Sequence, residues 1–323
     1  MTDPLRILVT RRWPEAVERQ LVETYGATLN VEDRPLDWAA FVAAMREYDV
    51  ICPTVSDRLP AEVIETPDRR VRLIANYGVG VDHIDLEACR RAGVAVSNTP
   101  GVLTDATADI ALTLMLMATR RAGEGEREVR AGQWTGWRPT HLLGASLKGR
   151  LLGLIGFGRI AQATAERARA FGMEIAYYSR SRAAPEIEAR IGARHFATLD
   201  ALLAEADVLS LHVPGGAETR HLIDAAAIAR MKPGAYLINT ARGDVVDSEA
   251  LAAALAERRI AGAGLDVYTG EPNVPAALTA LENVVLLPHL GSATVETRTA
   301  MGMRALANVE AWAKGEALPD RVA

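Results

Sequence analysis

The run Gly153-Leu154-Ile155-Gly156-Phe157-Gly158-Arg159-Ile160-Ala161 limits the fold of this chain more than any other segment. It places the pattern GxGxxA between residues 151–155, which read as a strand, and a helical pattern running to about 171. A strand entering a helix through such a turn opens a doubly wound α/β sheet, and each small residue has its own task. Gly156 permits the tight turn, Gly158 lets backbone approach a pyrophosphate, and Ala161 lets helix and strand pack closely. The N–H groups at the helix start then face the phosphates. Strand-like runs follow near 174–178, 207–211, 235–239, 262–266 and 284–287, with helical patterns between them. Six strands of one parallel sheet are expected.

The residues ahead of this series predict a second parallel sheet. Strands are expected at 5–10, 49–53 and 71–75, and helices at about 14–25, 37–47 and 60–65. The segment Asn76-Tyr77-Gly78-Val79-Gly80-Val81-Asp82 follows the last of these strands, and its glycines suit either an anion-binding backbone nest or a plain tight turn. Pro100 and Gly101 mark a hinge before a long apolar helix at about 103–121. A final helix, about 293–314, repeats Met301, Leu306, Val309 and Trp312 at helical spacing but has no sheet of its own. It is expected to pack on the N-terminal sheet. The chain therefore reads as α/β with two doubly wound, Rossmann-like parallel-sheet domains. Residues 1–99 and 288–323 form a discontinuous substrate-binding domain and residues 100–287 a dinucleotide-binding domain, with a cleft between them.

Composition excludes several roles. Among 323 residues the formal net charge is −5, and no block of Lys or Arg stands out, so neither nucleic acid nor an anionic membrane is an expected partner. The longest apolar stretch, Ile110 to Thr119 between Asp109 and Arg120, falls well short of the ~20 residues of a membrane span. Cys52 and Cys89 lack metal-ligand spacing, so no metal is expected, and they fit reduced thiols in the cytoplasm. The chain enters its first strand at Leu5 without a secretory pattern, which agrees with that compartment.

Three residues carry the chemistry: Arg242 in Asn-Thr-Ala-Arg-Gly, Glu271 in Thr-Gly-Glu-Pro and His289 in Leu-Pro-His-Leu-Gly. Each stands on a loop just after a predicted strand, where α/β proteins keep their active groups. A guanidinium binds a carboxylate bidentately, a carboxylate keeps an imidazole charged, and an imidazolium protonates a carbonyl oxygen as hydride reaches carbon. That set suits reduction of a 2-oxo acid. Past the second strand of the dinucleotide domain stand Ser179, Arg180, Ser181 and Arg182, where an acidic residue would ordinarily hold a ribose 2′-hydroxyl. Hydroxyls and guanidinium groups suit a 2′-phosphate, so NADP(H) is expected to be preferred, with NAD(H) possible.

With these motifs in place, the sequence resembles the D-isomer-specific 2-hydroxyacid dehydrogenase family, and within it the glyoxylate/hydroxypyruvate reductase branch. The matching segments are 76–85, 99–111, 153–162, 238–246, 263–272 and 287–294. The resemblance implies that Arg242 binds and polarises a small 2-oxo or 2-hydroxy acid, that Glu271 pairs with His289, and that His289 is the acid/base. It implies that backbone at Val79 and Gly80 holds the substrate carboxylate. Thr104, Asp266 and Gly291 would lie around the nicotinamide, and Arg159 and Ile160 at the pyrophosphate. His212, Pro214, Thr219, Thr240 and Ala241 would line the cofactor groove. Ala161 replaces the commoner third glycine, and Ser179 the usual acid.

Trp134 and Trp137 fit a Trp-x-x-Trp-x-Pro stretch of that branch, and the resemblance implies a homodimer formed through the dinucleotide domain around them. Trp137 either reaches the second subunit's active site and trims it toward small substrates, or serves as ordinary dimer packing. Two other activities stay open: a D-lactate-type or other D-2-hydroxyacid dehydrogenase, and a nicotinamide-sensing binding protein like the corepressors that share the fold.

Overall fold

The computed structural model describes residues 5–323. Its contacts divide the chain into two compact units: one runs to Leu103 and resumes at Ala293–Ala323, and the other is Thr104–Ser292.

The first unit contains β1 (Ile7–Val9), α1 (Glu15–Tyr25), β2 (Thr28–Leu29), α2 (Trp38–Glu47), β3 (Val50–Cys52), α3 (Ala61–Ile64), β4 (Leu73–Ala75), α4 (Leu86–Ala92) and β5 (Ala95–Ser97). The strands pair in parallel in the order β2-β1-β3-β4-β5. Apart from β2, every strand residue is buried, as both faces of a parallel sheet must be. Alternation sends Leu8, Ile51, Ile74 and Val96 to the face covered by α2, α3 and α4. Ile7, Val9, Val50, Cys52, Leu73 and Ala75 point to the other face, with Val17 and Leu21 of α1.

The second unit contains α5 (Thr104–Thr119), α6 (Ala122–Arg130), β6 (Leu151–Ile155), α7 (Arg159–Ala170), β7 (Glu174–Tyr178), α8 (Pro185–Ile191), β8 (Ala193–His195), α9 (Leu199–Glu205), β9 (Val208–Leu211), α10 (Ala225–Arg230), β10 (Tyr236–Asn239), α11 (Ser248–Ala256), β11 (Gly262–Leu265), α12 (Ala276–Thr279) and β12 (Val284–Leu286). The last helix, α13 (Val295–Ala313), returns to the first unit. There Leu306 and Val309, 2% and 0% exposed, complete the face that α1 leaves open. Each such side chain contributes about 1.5–3 kcal/mol of burial.

The second sheet is parallel in the order β12-β11-β10-β9-β6-β7-β8. It has seven strands where six were expected. The additional one, β8, is a three-residue edge strand with a half-exposed pattern, too short and too polar to show a period. Helices cover both faces: α5 and α7 pack on Leu152, Leu154, Val208 and Ile238, and α9, α10 and α11 on Ile155, Leu209, Leu237 and Leu265. The order reverses between β6 and β9, and ligands of such sheets bind outside the strand ends at that reversal.

Candidate active site

Arg242, Glu271 and His289 all belong to the second unit and follow three neighbouring strands. Asn239 at the end of β10 is level with Leu265 of β11, and Leu265 with Leu286 of β12. The three loops therefore leave the sheet side by side. Because the strands are parallel, all three emerge at the carboxyl edge.

His289 Nδ1 lies 2.8 Å from Glu271 Oε2. The other carboxylate oxygen, Oε1, accepts the Tyr268 N–H at 2.9 Å. Burial pushes the Glu271 carboxyl up, but the hydrogen bond and charge of His289, with the Tyr268 N–H and the Arg242 charge, together hold the group below the ordinary carboxylate value. With Nδ1 engaged, Nε2 is the ring position left to exchange a proton with a ligand.

His289 itself has φ 54°, uncommon for a residue with a Cβ. Asp266 holds this conformation in place. Its carbonyl accepts the His289 N–H at 2.9 Å, and its carboxylate accepts Leu290 N–H at 2.6 Å and Gly291 N–H at 2.7 Å. Asp266 is 1% exposed, and burial raises its carboxyl despite those two donors and the charge of His289. Gly291 is fixed from its other side by Thr107, whose hydroxyl donates to its carbonyl at 3.0 Å.

Arg242 is half-buried at the start of a single 3-10 turn, Gly243–Val245. The Asn239 side chain organises the approach: its Oδ1 accepts Ala241 N–H at 3.0 Å and its Nδ2 donates to Arg242 O at 2.8 Å. The guanidinium donates through Nη1 to Ala241 O at 2.8 Å. A Cβ at Gly243 would stand 1.9 Å from the Tyr268 carbonyl carbon, so only glycine lets the Arg242 loop lie against the backbone leading to Glu271. The Arg242 charge accordingly lowers the Glu271 carboxyl.

The residues of the glycine turn fit a dinucleotide. Gly156 has φ 86°, and a Cβ there would lie 2.7 Å from His212 O, across the strand-order reversal. Gly158 is different: its φ is ordinary, and a Cβ would meet nothing of this chain within 4 Å. Its missing side chain leaves open space over the start of α7, where unpaired N–H groups favour phosphate. Ala161 is fully buried, Arg159 exposed and Ile160 half-exposed. The Thr240 hydroxyl, beside the buried Ala241, is itself buried without a hydrogen-bond partner. His212 lies within 2.9 Å of Ser210 Oγ, and burial pushes its imidazole well below the ordinary value. Pro214 is exposed, and the Thr219 hydroxyl is turned into its own loop, donating to Pro214 O at 2.7 Å. Thr104 is the first, half-buried residue of α5.

At the end of β7, the Ser179 hydroxyl donates to Ser181 O. Arg180 pairs with Glu218, both largely exposed. Arg182 grips Glu188 bidentately at 2.8 and 2.9 Å, and the Tyr177 hydroxyl adds a third donor to that carboxylate. Of the two guanidinium groups, Arg180 is the more available to a ligand.

In the first unit, the 76–80 loop is shaped by two asparagines that motif reading passed over. Buried Asn76 donates to Gly78 O at 3.0 Å and Gly80 O at 2.9 Å, and Asn98 donates to Val79 O at 2.8 Å. Across a trans peptide the carbonyl and the next N–H point opposite ways. Tying down the carbonyls of Gly78 and Val79 therefore turns the N–H groups of Val79 and Gly80 away from the asparagines.

Comparison with known proteins shows the family. The model for the NAD-binding domain of D-isomer specific 2-hydroxyacid dehydrogenases matches residues 112–291. The chain is 45% identical to the glyoxylate reductase of Thermococcus litoralis over 321 residues, covering 98% of this chain and 96% of that one. It is 39% identical to the glycerate dehydrogenase of Hyphomicrobium methylovorum, covering 93% of each. Among solved structures it resembles an NADPH-dependent glyoxylate/hydroxypyruvate reductase from Sinorhizobium meliloti in complex with NADP and malonate, with a TM-score of 0.88 and 37% identity, covering 99% of this chain and 97% of that one. The chain belongs to the D-isomer specific 2-hydroxyacid dehydrogenase family, on its glyoxylate reductase branch.

Proposed function

We propose that this chain reduces glyoxylate and hydroxypyruvate to the corresponding 2-hydroxy acids, with Arg242, Glu271 and His289 as its catalytic residues and NADP(H) as the preferred dinucleotide. The observation that carries the reading is the 2.8 Å pair of His289 Nδ1 and Glu271 Oε2, which joins two loops that leave the sheet beside that of Arg242. Arg242 binds the substrate carboxylate and polarises its carbonyl. As the carbonyl carbon is reduced, its oxygen takes the proton on His289 Nε2. Glu271 stabilises the imidazolium that gives up that proton, and the neutral ring accepts it back in the reverse direction. The bound nicotinamide supplies the hydride. Gly156, Gly158, Arg159 and Ile160 would hold its pyrophosphate, with Thr104, His212, Pro214, Thr219, Thr240, Ala241, Asp266 and Gly291 around the remaining groups. Val79 and Gly80 donate backbone N–H groups to the substrate carboxylate.

The NADP(H) preference rests on hydroxyl and guanidinium groups at Ser179, Arg180, Ser181 and Arg182, with Arg180, whose partner Glu218 is largely exposed, the guanidinium best placed to turn to a 2′-phosphate. The test is kcat/KM for glyoxylate, hydroxypyruvate and pyruvate, each with NADPH and NADH. Turnover of the first two with NADPH supports the reading. Fastest turnover of pyruvate points to a lactate-type dehydrogenase, and dinucleotide binding without turnover of any 2-oxo acid points to a sensor.

We further propose a homodimer formed through the second unit, because Trp134, Trp137 and Leu143 are 54%, 82% and 65% exposed in one short segment. Light scattering that returns the monomer mass overturns it. If Trp137 also trims the second subunit's site, Trp137→Ala widens the substrate range while leaving the dimer intact. Both cysteines are buried and free, which fits a cytoplasmic enzyme.

A further inference from the structure

Asp57 is 2% exposed and sits in the loop after β3, outside every motif that carries the proposed chemistry. Its Oδ2 accepts the Thr10 hydroxyl at 2.5 Å and the Thr54 N–H at 2.8 Å, while Oδ1 is buried without a partner. A buried carboxylate with one unpartnered oxygen is costly, and what offsets that cost here is the pair of donors, from Thr10 and Thr54, that it holds. The loop it braces lies along the 76–84 segment. Tyr77 N–H donates to Pro53 O at 2.8 Å, Leu59 N–H to His83 O at 2.9 Å, and Asp85 N–H to Leu59 O at 3.0 Å. Between these rungs, Val55 packs on Gly78 beside the Asn76 amide: a Cβ at 78 would be 2.9 Å from Val55 Cγ1 and 3.4 Å from Asn76 Nδ2. The asparagines hold the Gly78–Gly80 turn by its carbonyls, and the 53–57 loop lies against the same turn.

We infer that Asp57 is a positioning residue for substrate binding, tying the 53–57 loop to Thr10 so that Val55 stays packed on the turn presenting Val79 and Gly80. The inference rests on the reading of those two N–H groups as carboxylate donors. Asp57 touches neither substrate nor dinucleotide; it acts through the loop.

The experiment compares Asp57→Ala, Asp57→Asn and Asn76→Ser with the parent in steady-state kinetics, with thermal melting as the check on folding. Asp57→Ala is expected to raise KM for glyoxylate about tenfold while kcat and KM for NADPH stay within about threefold. Asp57→Asn keeps an acceptor oxygen for Thr10 and Thr54 and is expected to restore KM to near the parent value. On glycolaldehyde, which has the aldehyde but no carboxylate, Asp57→Ala and the parent should be equally active. Asn76→Ser changes the same turn without involving Asp57. If it raises KM for glyoxylate and Asp57→Ala does not, the role of Asp57 is overturned and the carboxylate reading stands. If Asn76→Ser leaves KM unchanged, that reading itself fails. Equal losses by Asp57→Ala in KM, kcat and NADPH affinity, or equal defects in the Asn and Ala variants, also overturn the positioning role.

Discussion

Replacing Glu271 with glutamine keeps the shape of the side chain and removes its charge, and the geometry shows why the amide is no substitute. The carboxylate receives one donor on each oxygen, Tyr268 N–H at 2.9 Å and His289 Nδ1 at 2.8 Å. A carboxamide has a single oxygen, so one of those donors must face an NH2 group. A hydrogen bond to a charged group contributes about 1.5–3 kcal/mol. The His289 and Glu271 side chains are 33% and 35% exposed, and solvent screening brings the loss to about 1–1.5 kcal/mol, or about tenfold. Against the opposing effect of burial, His289, the Tyr268 N–H and the Arg242 charge together hold the Glu271 carboxyl below its ordinary value, so the ring's partner is the carboxylate. Reduction takes its proton from the ring that this hydrogen bond orients, so Glu271→Gln should lose about tenfold in kcat/KM for glyoxylate. The substitution leaves the overall equilibrium unchanged, so at a given pH oxidation of the 2-hydroxy acid should lose the same factor. The assay is kcat/KM in both directions on parent and variant. Values matching the parent would refute the reasoning.

The two glycines of the dinucleotide turn should separate by phenotype. Gly156→Ala places a Cβ at φ 86° and 2.7 Å from His212 O, and should lower the melting temperature through about 1–3 kcal/mol of strain. Gly158→Ala meets no neighbour within 4 Å, so it should melt like the parent while raising KM for NADPH about tenfold or more; normal NADPH affinity would remove the pyrophosphate from this turn. Arg180→Ala should cost NADPH about tenfold in kcat/KM and leave NADH within about twofold, whereas equal effects on both cofactors would place the 2′-phosphate elsewhere.

Much of the fold was legible because its signals are local. The runs that became β6, β9, β10 and β11 are mostly apolar and buried throughout, as strands covered on both faces must be. The elements that escaped reading are short or mixed. Strand β5 has three residues, β2 has two, and α6 has no buried residue to set a period. Within the site, Arg242, Glu271 and His289 stood out because each pairs a reactive side chain with turn residues after a strand. Asn76, Asn98 and Asp57 carried no such sign, since their partners are backbone atoms of other segments.

By itself the sequence determined the two parallel sheets, the glycine turn, and the strand ends at which the reactive residues stand. Each depends on periodicity and turn chemistry within a few residues. Only the tertiary structure decided which atoms meet: Nδ1 rather than Nε2 on Glu271, both Asp266 oxygens on the backbone after His289, and the Arg242 loop resting on Tyr268 through Gly243. Those contacts join segments distant in sequence. They exist because parallel pairing brings the ends of β10, β11 and β12 level, a register set by the packing of the whole sheet.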